Sequence, residues 1–229
     1  MSTCPHQTMK PSLDPLPERM RLLPIDERGY PVPWFVAWID GKPEFRAMDG
    51  RKFEAAIKKK LCWVCGQKLG VNLCFVAGPM CGINRTSSEP PSHLECGLWS
   101  AKNCPFLSNP KMVRREDEVM NNAVLRDNAA GLAITRNPGV AMLWITRSYE
   151  VFKVNTGVLL QMGEPLRVEW FAHGRRATRA EVIESIEGGL PNLEAMARLE
   201  VGGLRALEQA KHRFSFWLPP QIEEIGKEV

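Results

Sequence analysis

What the chain lacks removes most of the common enzyme classes. No stretch approaches the ~18 uninterrupted apolar residues of a membrane span. The start, Met1-Ser2-Thr3-Cys4-Pro5-His6, has no charged segment followed by an apolar run, so no secretory signal is expected and a cytoplasmic setting is. There is no Walker loop, no G-x-G-x-x-G, no H-E-x-x-H and no G-x-S-x-G, which leaves nucleotide, dinucleotide, zincin and serine-hydrolase chemistry without a signature. Zinc deaminases need His-x-Glu ahead of Cys-x-x-Cys, and here the cysteine pair comes first. No histidine falls between Cys62 and His93, so the catalytic histidine of zinc-bearing ββα nucleases is missing. There are no internal repeats and no low-complexity tract.

What is present is a ligand pattern, Cys62-x-x-Cys65 followed by His93-x-x-Cys96. Two pairs with two-residue gaps suit a tetrahedral zinc ion, because each pair fits one tight turn or one first helical turn. Six of the seven cysteines fall between Cys62 and Cys104. An odd number, clustered in a chain expected to be intracellular, argues for metal rather than disulfides. Cys81 is the alternative ligand. Cys74 reads as a small buried hydrophobe, and Cys104-Pro105 should end the helix that carries Cys96. A closed, cysteine-rich set of four leaves no open coordination position, which favours a structural ion over a catalytic one.

The rest of the chain reads as α+β. Residues 1–30, rich in proline and charge, are expected to be a loosely held arm. Residues 32–39 and 43–46 form a hairpin about Asp40-Gly41, and Asp49 caps a helix through residue 61. Gly66 permits the turn that closes the first cysteine pair. Residues 71–77 are a short apolar segment, 80–83 a possible return arm of a hairpin, and Pro90-Pro91-Ser92 a helix start. Knuckle, hairpin and ligand-bearing helix N-terminus together resemble the treble-clef zinc finger over about residues 61–107. Beyond a mixed stretch at 112–137, with a solvated face at 114–118 and a turn at 128–131, residues 140–145 and 149–154 pair, as do 157–162 and 166–171. Thr178 and Glu181 make a capping box. That helix is expected to stop at Gly188-Gly189, and Pro191 to open a last one whose apolar face carries Leu193, Met196, Ala197, Leu204 and Leu207. The expected organisation is an arm (1–30), a hairpin plus zinc module (31–115) and a C-terminal α+β region (116–229), continuous with the module or separate from it. It amounts to a treble-clef-like zinc module within a mixed antiparallel-sheet and helix protein.

Charge is unevenly placed. Between residues 51 and 115 there are eleven Lys or Arg and three acidic residues, a net +8, and the remainder carries 19 basic against 23 acidic, a net −4. A basic module points to a polyanionic partner, DNA or RNA, engaged by Lys58, Lys59, Lys60, Arg85, Lys102, Lys111, Arg114 and Arg115. A lysine run at a helix C-terminus also has a purely structural explanation in the helix dipole. A protein-interaction or inhibitor module with architectural zinc is the alternative. An enzyme working from the polar 84–89 loop, or from His173 with Arg175, Arg176 and Arg179, is the third possibility. The tryptophans read as core or interface rather than as base-stacking platforms. The stretch from Phe75 to Cys81, with Asn84-Arg85, Glu89-Pro90-Pro91, His93, Cys96 and Cys104-Pro105-Phe106-Leu107, resembles a group of bacterial hypothetical proteins. The resemblance implies a bacterial or phage source and no activity.

Overall fold

The apolar run near residue 140 becomes the centre of the protein. In the computed structural model, which describes residues 9–109, 137–155 and 157–221, strand β5 (Ala141–Thr146) is buried at every position. It is flanked by β3 (Leu73–Ala77) and β8 (Pro165–Ala172), with the short β9 (Arg175–Arg176) at the end, all antiparallel. Side chains alternate across the sheet. Met142 and Trp144 join Phe75 and Trp170 on one face, under residues of helices α2 (Pro79–Asn84), α5 (Arg179–Ala197) and α6 (Gly203–Ser215). Ala141, Leu143 and Ile145 join Cys74 and Phe171 on the other, against Leu94 and Leu98 of α3 (Leu94–Asn103) and Leu107 of α4 (Pro105–Ser108). A sheet covered on both faces has no solvated side, which is why the run is unbroken rather than alternating.

Two strand pairings differ from expectation. β6 (Tyr149–Val154) pairs not with β5 but with β7 (Gly157–Met162), and β7 in turn pairs with β4 (Thr86–Ser87), making a second sheet. β8 pairs with β5 rather than with β7. Both edges of β5 are already taken by β3 and β8, so the β6–β7 hairpin has to pair elsewhere. The turn that returns the chain is fastened beside β5: Thr146 Oγ1 donates to the Glu164 carbonyl (2.8 Å), and Trp144 Nε1 to that of Gly163 (2.9 Å).

The N-terminal hairpin forms as expected, β1 (Val36–Ile39) with β2 (Lys42–Met48), turning at Asp40 and Gly41, both at positive φ. Helix α1 (Gly50–Lys59) is capped by the Asp49 carboxylate, which accepts from Arg51 N at 2.9 Å. Residues 80–83 are not a hairpin arm. They lie in α2, which Pro79 opens at its first position, where its missing N–H costs nothing. Helix α5 does not stop at Gly188-Gly189 but runs to Ala197 with Pro191 inside it. The glycine serves packing instead: a Cβ on Gly189 would lie 2.8 Å from the Met80 side chain of α2. The last helix accordingly opens at Gly203 rather than at Pro191. Leu193 and Leu207 are buried, whereas Met196 and Leu204 are 55% and 46% exposed.

Residues 9–30 hold only one 3-10 turn, Glu18–Met20, yet they lie against the metal module. Met20 is buried beside Cys62 and Trp99, Trp99 Nε1 donates to the Asp14 carbonyl, and Arg19 pairs with Glu95 at 2.8 Å. The solvated face at 114–118 and the turn at 128–131 lie outside the described residues. Among the described residues, no helix is long and apolar enough to cross a membrane.

Candidate metal centre

Cys62 and Cys65 sit on a tight loop closed by short backbone hydrogen bonds, Gly66 N to Cys62 O (2.8 Å) and Cys62 N to Gln67 O (2.7 Å). Gly66 takes φ +74°, and a Cβ there would lie 2.6 Å from the Trp34 ring. The loop therefore needs glycine twice, for its left-handed backbone and for the indole laid against it. The second pair is delivered by β3. Cys74 and Ser92 exchange backbone hydrogen bonds (2.9 and 2.7 Å), which pins residues 90–92 to that strand. His93 follows as the N-cap of α3, and Cys96 lies in the first turn.

The four donor atoms lie within 4.8 Å of one another, and all four residues are buried. His93 Nδ1 is 3.3 Å from Cys65 Sγ and 3.9 Å from Cys96 Sγ. Its other ring nitrogen, Nε2, is 3.0 Å from the Lys68 carbonyl. A carbonyl only accepts, so Nε2 carries the proton and the Nδ1 lone pair faces the sulfurs, the orientation a metal ligand needs. Backbone N–H groups of Cys65 (3.4 Å) and His93 (3.3 Å) point at Cys62 Sγ. Three sulfurs and one imidazole form a donor set suited to a borderline-soft divalent ion. Cys62, Cys65, His93 and Cys96 are positioned to chelate one.

With no ion bound, the donors would share protons. Hydrogen bonds from Cys65 and then Cys96 drive the Cys62 thiol far down, against its burial. Cys96 is driven up, first by its hydrogen bond to Cys62. His93 is pushed up to about 10, first by Cys62 and then by Cys65. An entering ion must displace the protons on Cys96 and His93, so metal affinity falls as pH falls.

Cys81 lies in α2 and is not one of the four grouped donors. Burial pushes its thiol up to about 11. Cys74, 1% exposed, packs between the sheet and Gly97 of α3 as a small hydrophobe. Of the basic residues, Lys58 pairs with Glu54 at 3.6 Å and Lys102 with Asp14 at 3.9 Å. Lys59 and Lys60 are exposed at the end of α1. Arg85 is engaged inside the fold: its guanidinium donates twice to the Met162 carbonyl (3.0 and 3.2 Å) and pairs with Glu164. Lys111, Arg114 and Arg115 lie outside the described residues.

The 84–89 loop is drawn into β4, and Ser87 Oγ bonds within the turn to Glu89. His173 stands at the β8–β9 turn at φ +53°, with Nε2 4.0 Å from Glu181. Arg175 grips Glu181 with two nitrogens (2.8 and 3.0 Å), and Arg176 pairs with Glu169 (2.7 Å). Reading the sequence missed the Lys68 carbonyl and the Trp34 ring. A backbone acceptor leaves no mark in the residue types, and Trp34 signals only bulk. Comparisons with protein-family models, curated proteins and solved structures find no match to this chain.

Proposed function

We propose that this is a zinc protein whose ion is structural, in a treble-clef-like module, and that its basic surface binds nucleic acid. The buried three-cysteine, one-histidine cluster with its histidine tautomer fixed by Lys68 carries the metal reading. Zinc matches the donor set, and four protein ligands leave no open position for chemistry. Two features support that likeness, the Cys62–Cys65 loop and the helix start that carries His93 and Cys96. Between them stand β3, α2 and β4 in place of a hairpin.

The net +8 between residues 51 and 115 supports the nucleic-acid reading. Lys58, Lys59 and Lys60 at the end of α1 and Lys102 at the end of α3 are the described cations we assign to it, with Lys111, Arg114 and Arg115 further along the chain. Arg85 is excluded from this surface, because its guanidinium holds β7 to α2. The reading is tested by titrating the zinc-loaded protein against labelled duplex DNA, single-stranded DNA and RNA at several salt concentrations. Binding should weaken steeply with salt. Replacing Lys58, Lys59 and Lys60 by Gln should make the log–log slope shallower by about 0.9 for each phosphate that is no longer neutralised. No binding at low salt overturns it.

A further inference from the structure

The arm and the N-terminal hairpin face each other across an open groove of about 950 Å³, between residues 21–28 and the β1–β2 pair. A smaller hollow of about 250 Å³ continues it over the first turn of α1 and the knuckle, reaching Lys52 and Gln67. Trp38 lines both, together with Leu23 and Pro24. Of the seven tryptophans, six are buried or half-buried, whereas Trp38 is 48% exposed. The other rings of these walls are already covered on one face. The Arg28 guanidinium lies over Phe45 at 5.0 Å, and Lys52 Nζ over Trp34 at 6.0 Å. Trp38 has no ring or cation stacked on it among the described residues.

Charge along the groove is mixed, and its unengaged part is mainly basic. Arg28 is engaged by Asp26 at 2.7 Å, Arg46 by Glu44 at 2.6 Å, and Arg19, in the wall of the smaller hollow, by Glu95 at 2.8 Å. Lys52 Nζ is held on the Val36 carbonyl at 3.0 Å. Arg21 and Lys42 stand exposed without an ion pair among the described residues, against one acid in the same position, Glu27. The basic character continues past the knuckle. Gln67 lines the smaller hollow, and its neighbour Lys68 reaches the end of α1, donating to the Lys59 carbonyl at 2.7 Å. Lys59, Lys60 and Lys68 are all exposed there.

An open indole face beside unpaired cations is the combination that single strands use: bases stack on the ring, and phosphates follow the charge. Within a duplex both faces of each base are covered by its neighbours, so only an unpaired base can lie on Trp38. We propose that this groove takes single-stranded nucleic acid, with a base on Trp38, phosphates on Arg21 and Lys42, and the strand continuing towards Lys59, Lys60 and Lys68. This occupant rests on the nucleic-acid reading and narrows it, because a lysine run by itself attracts single strands and duplexes alike.

A thymidylate oligonucleotide and a hairpin duplex of equal phosphate count test it, each titrated into the full zinc-loaded chain at several salt concentrations. The single strand should bind about tenfold tighter, the difference one stacked base makes. In Trp38→Ala that preference should vanish, with duplex binding and zinc stoichiometry unchanged, and Trp38→Phe should keep most of it. Replacing Arg21 and Lys42 by Gln should make the single-strand salt slope shallower by about 0.7 for each phosphate released. A duplex bound as tightly as the single strand, or Trp38→Ala binding both like the wild type, overturns the proposal and leaves the lysine-run reading standing. No binding of either at low salt overturns both and leaves the groove to a protein partner. Should Trp38→Ala not fold, photocross-linking of an iodouracil-bearing strand to the wild type decides: a cross-link mapped to Trp38 sustains the proposal, and its absence overturns it.

Discussion

The core around β5 and the core around Cys62 touch the same strand, β3, but are held by different means. The first gathers sixteen buried apolar residues among the described ones, from two tryptophans of the sheet to Phe214 of α6. Burial alone holds such a core, at roughly 1.5–3 kcal/mol for each large side chain. The second has eight members among the described residues, and three of them, Cys62, Cys65 and Cys96, are positioned to chelate a metal. Without an ion that core would keep three sulfurs and an imidazole, which need protons and partners and bring little apolar surface. The first cluster is held by area, and the second would be held by coordination once an ion is bound.

The largest expected effect breaks the coordinated half alone. Cys96→Ser, or a strong chelator, should lower bound zinc from one equivalent to none. The binding free energy lost should be on the order of 10 kcal/mol, the lower end of the range for zinc peptides. Hydrogen exchange should rise at residues 60–70 and 92–97 while β5 and β8 stay protected. Uniform loss of protection would show that the two cores are not separable. Phe75→Ala strikes the area-held half. Its side chain is fully buried in the larger core, and the substitution should cost about 3–5 kcal/mol in denaturant melts with zinc stoichiometry unchanged.

Gly66→Ala sharpens the contrast within the knuckle. The left-handed backbone costs an alanine about 1–2 kcal/mol, and the Trp34 ring must move as well. Zinc affinity measured by chelator competition should fall, with little change in the melting of the larger core. The smallest effect lies at the α5 start. The Arg175 hydrogen bond holds the Glu181 carboxyl at about 2, below its ordinary 4.5. A lowered pKa means the contribution is complete above about pH 4.5 and lost as pH falls towards 2. The difference in melting temperature between wild type and Glu181→Gln should therefore close over that window and shrink with salt, because the pair is largely exposed. Thr178→Ala, which removes the cap, should cost about 1 kcal/mol at neutral pH.

How much of this was legible followed the range of the interactions. Cys62, Cys65, His93 and Cys96 could be paired because each pair closes within one turn, and the spacing itself is the geometry. The Asp49 and Thr178 caps were legible for the same reason, as was the Asp40-Gly41 hairpin. Strand pairing was not, since β5 meets β3 across more than sixty residues, and nothing local to 149–154 says that β5 already has two neighbours. α2 was missed because six residues are too few to display a helical period, although Pro79 after Gly78 was a usable start signal. At Gly188-Gly189 and Pro191 the local reading gave way to packing against Met80. The basic surface was legible only as a count: the sequence does not show that Arg85 turns inward to Met162.

The distance along the chain between the two ligand pairs has a further consequence. Cys65 and His93 are 28 residues apart, and the chain between them contributes β3 to the four-stranded sheet and β4 to the three-stranded one. An ion coordinated there would be a cross-link that closes one loop through these two sheets. By the chain-entropy relation used for disulfides, a loop of that size restricts the unfolded chain by roughly 3.5 kcal/mol. That contribution needs no contact with either sheet. Shortening or lengthening the 65–93 connection would change it only logarithmically, whereas cutting the chain there would abolish it while leaving every ligand in place.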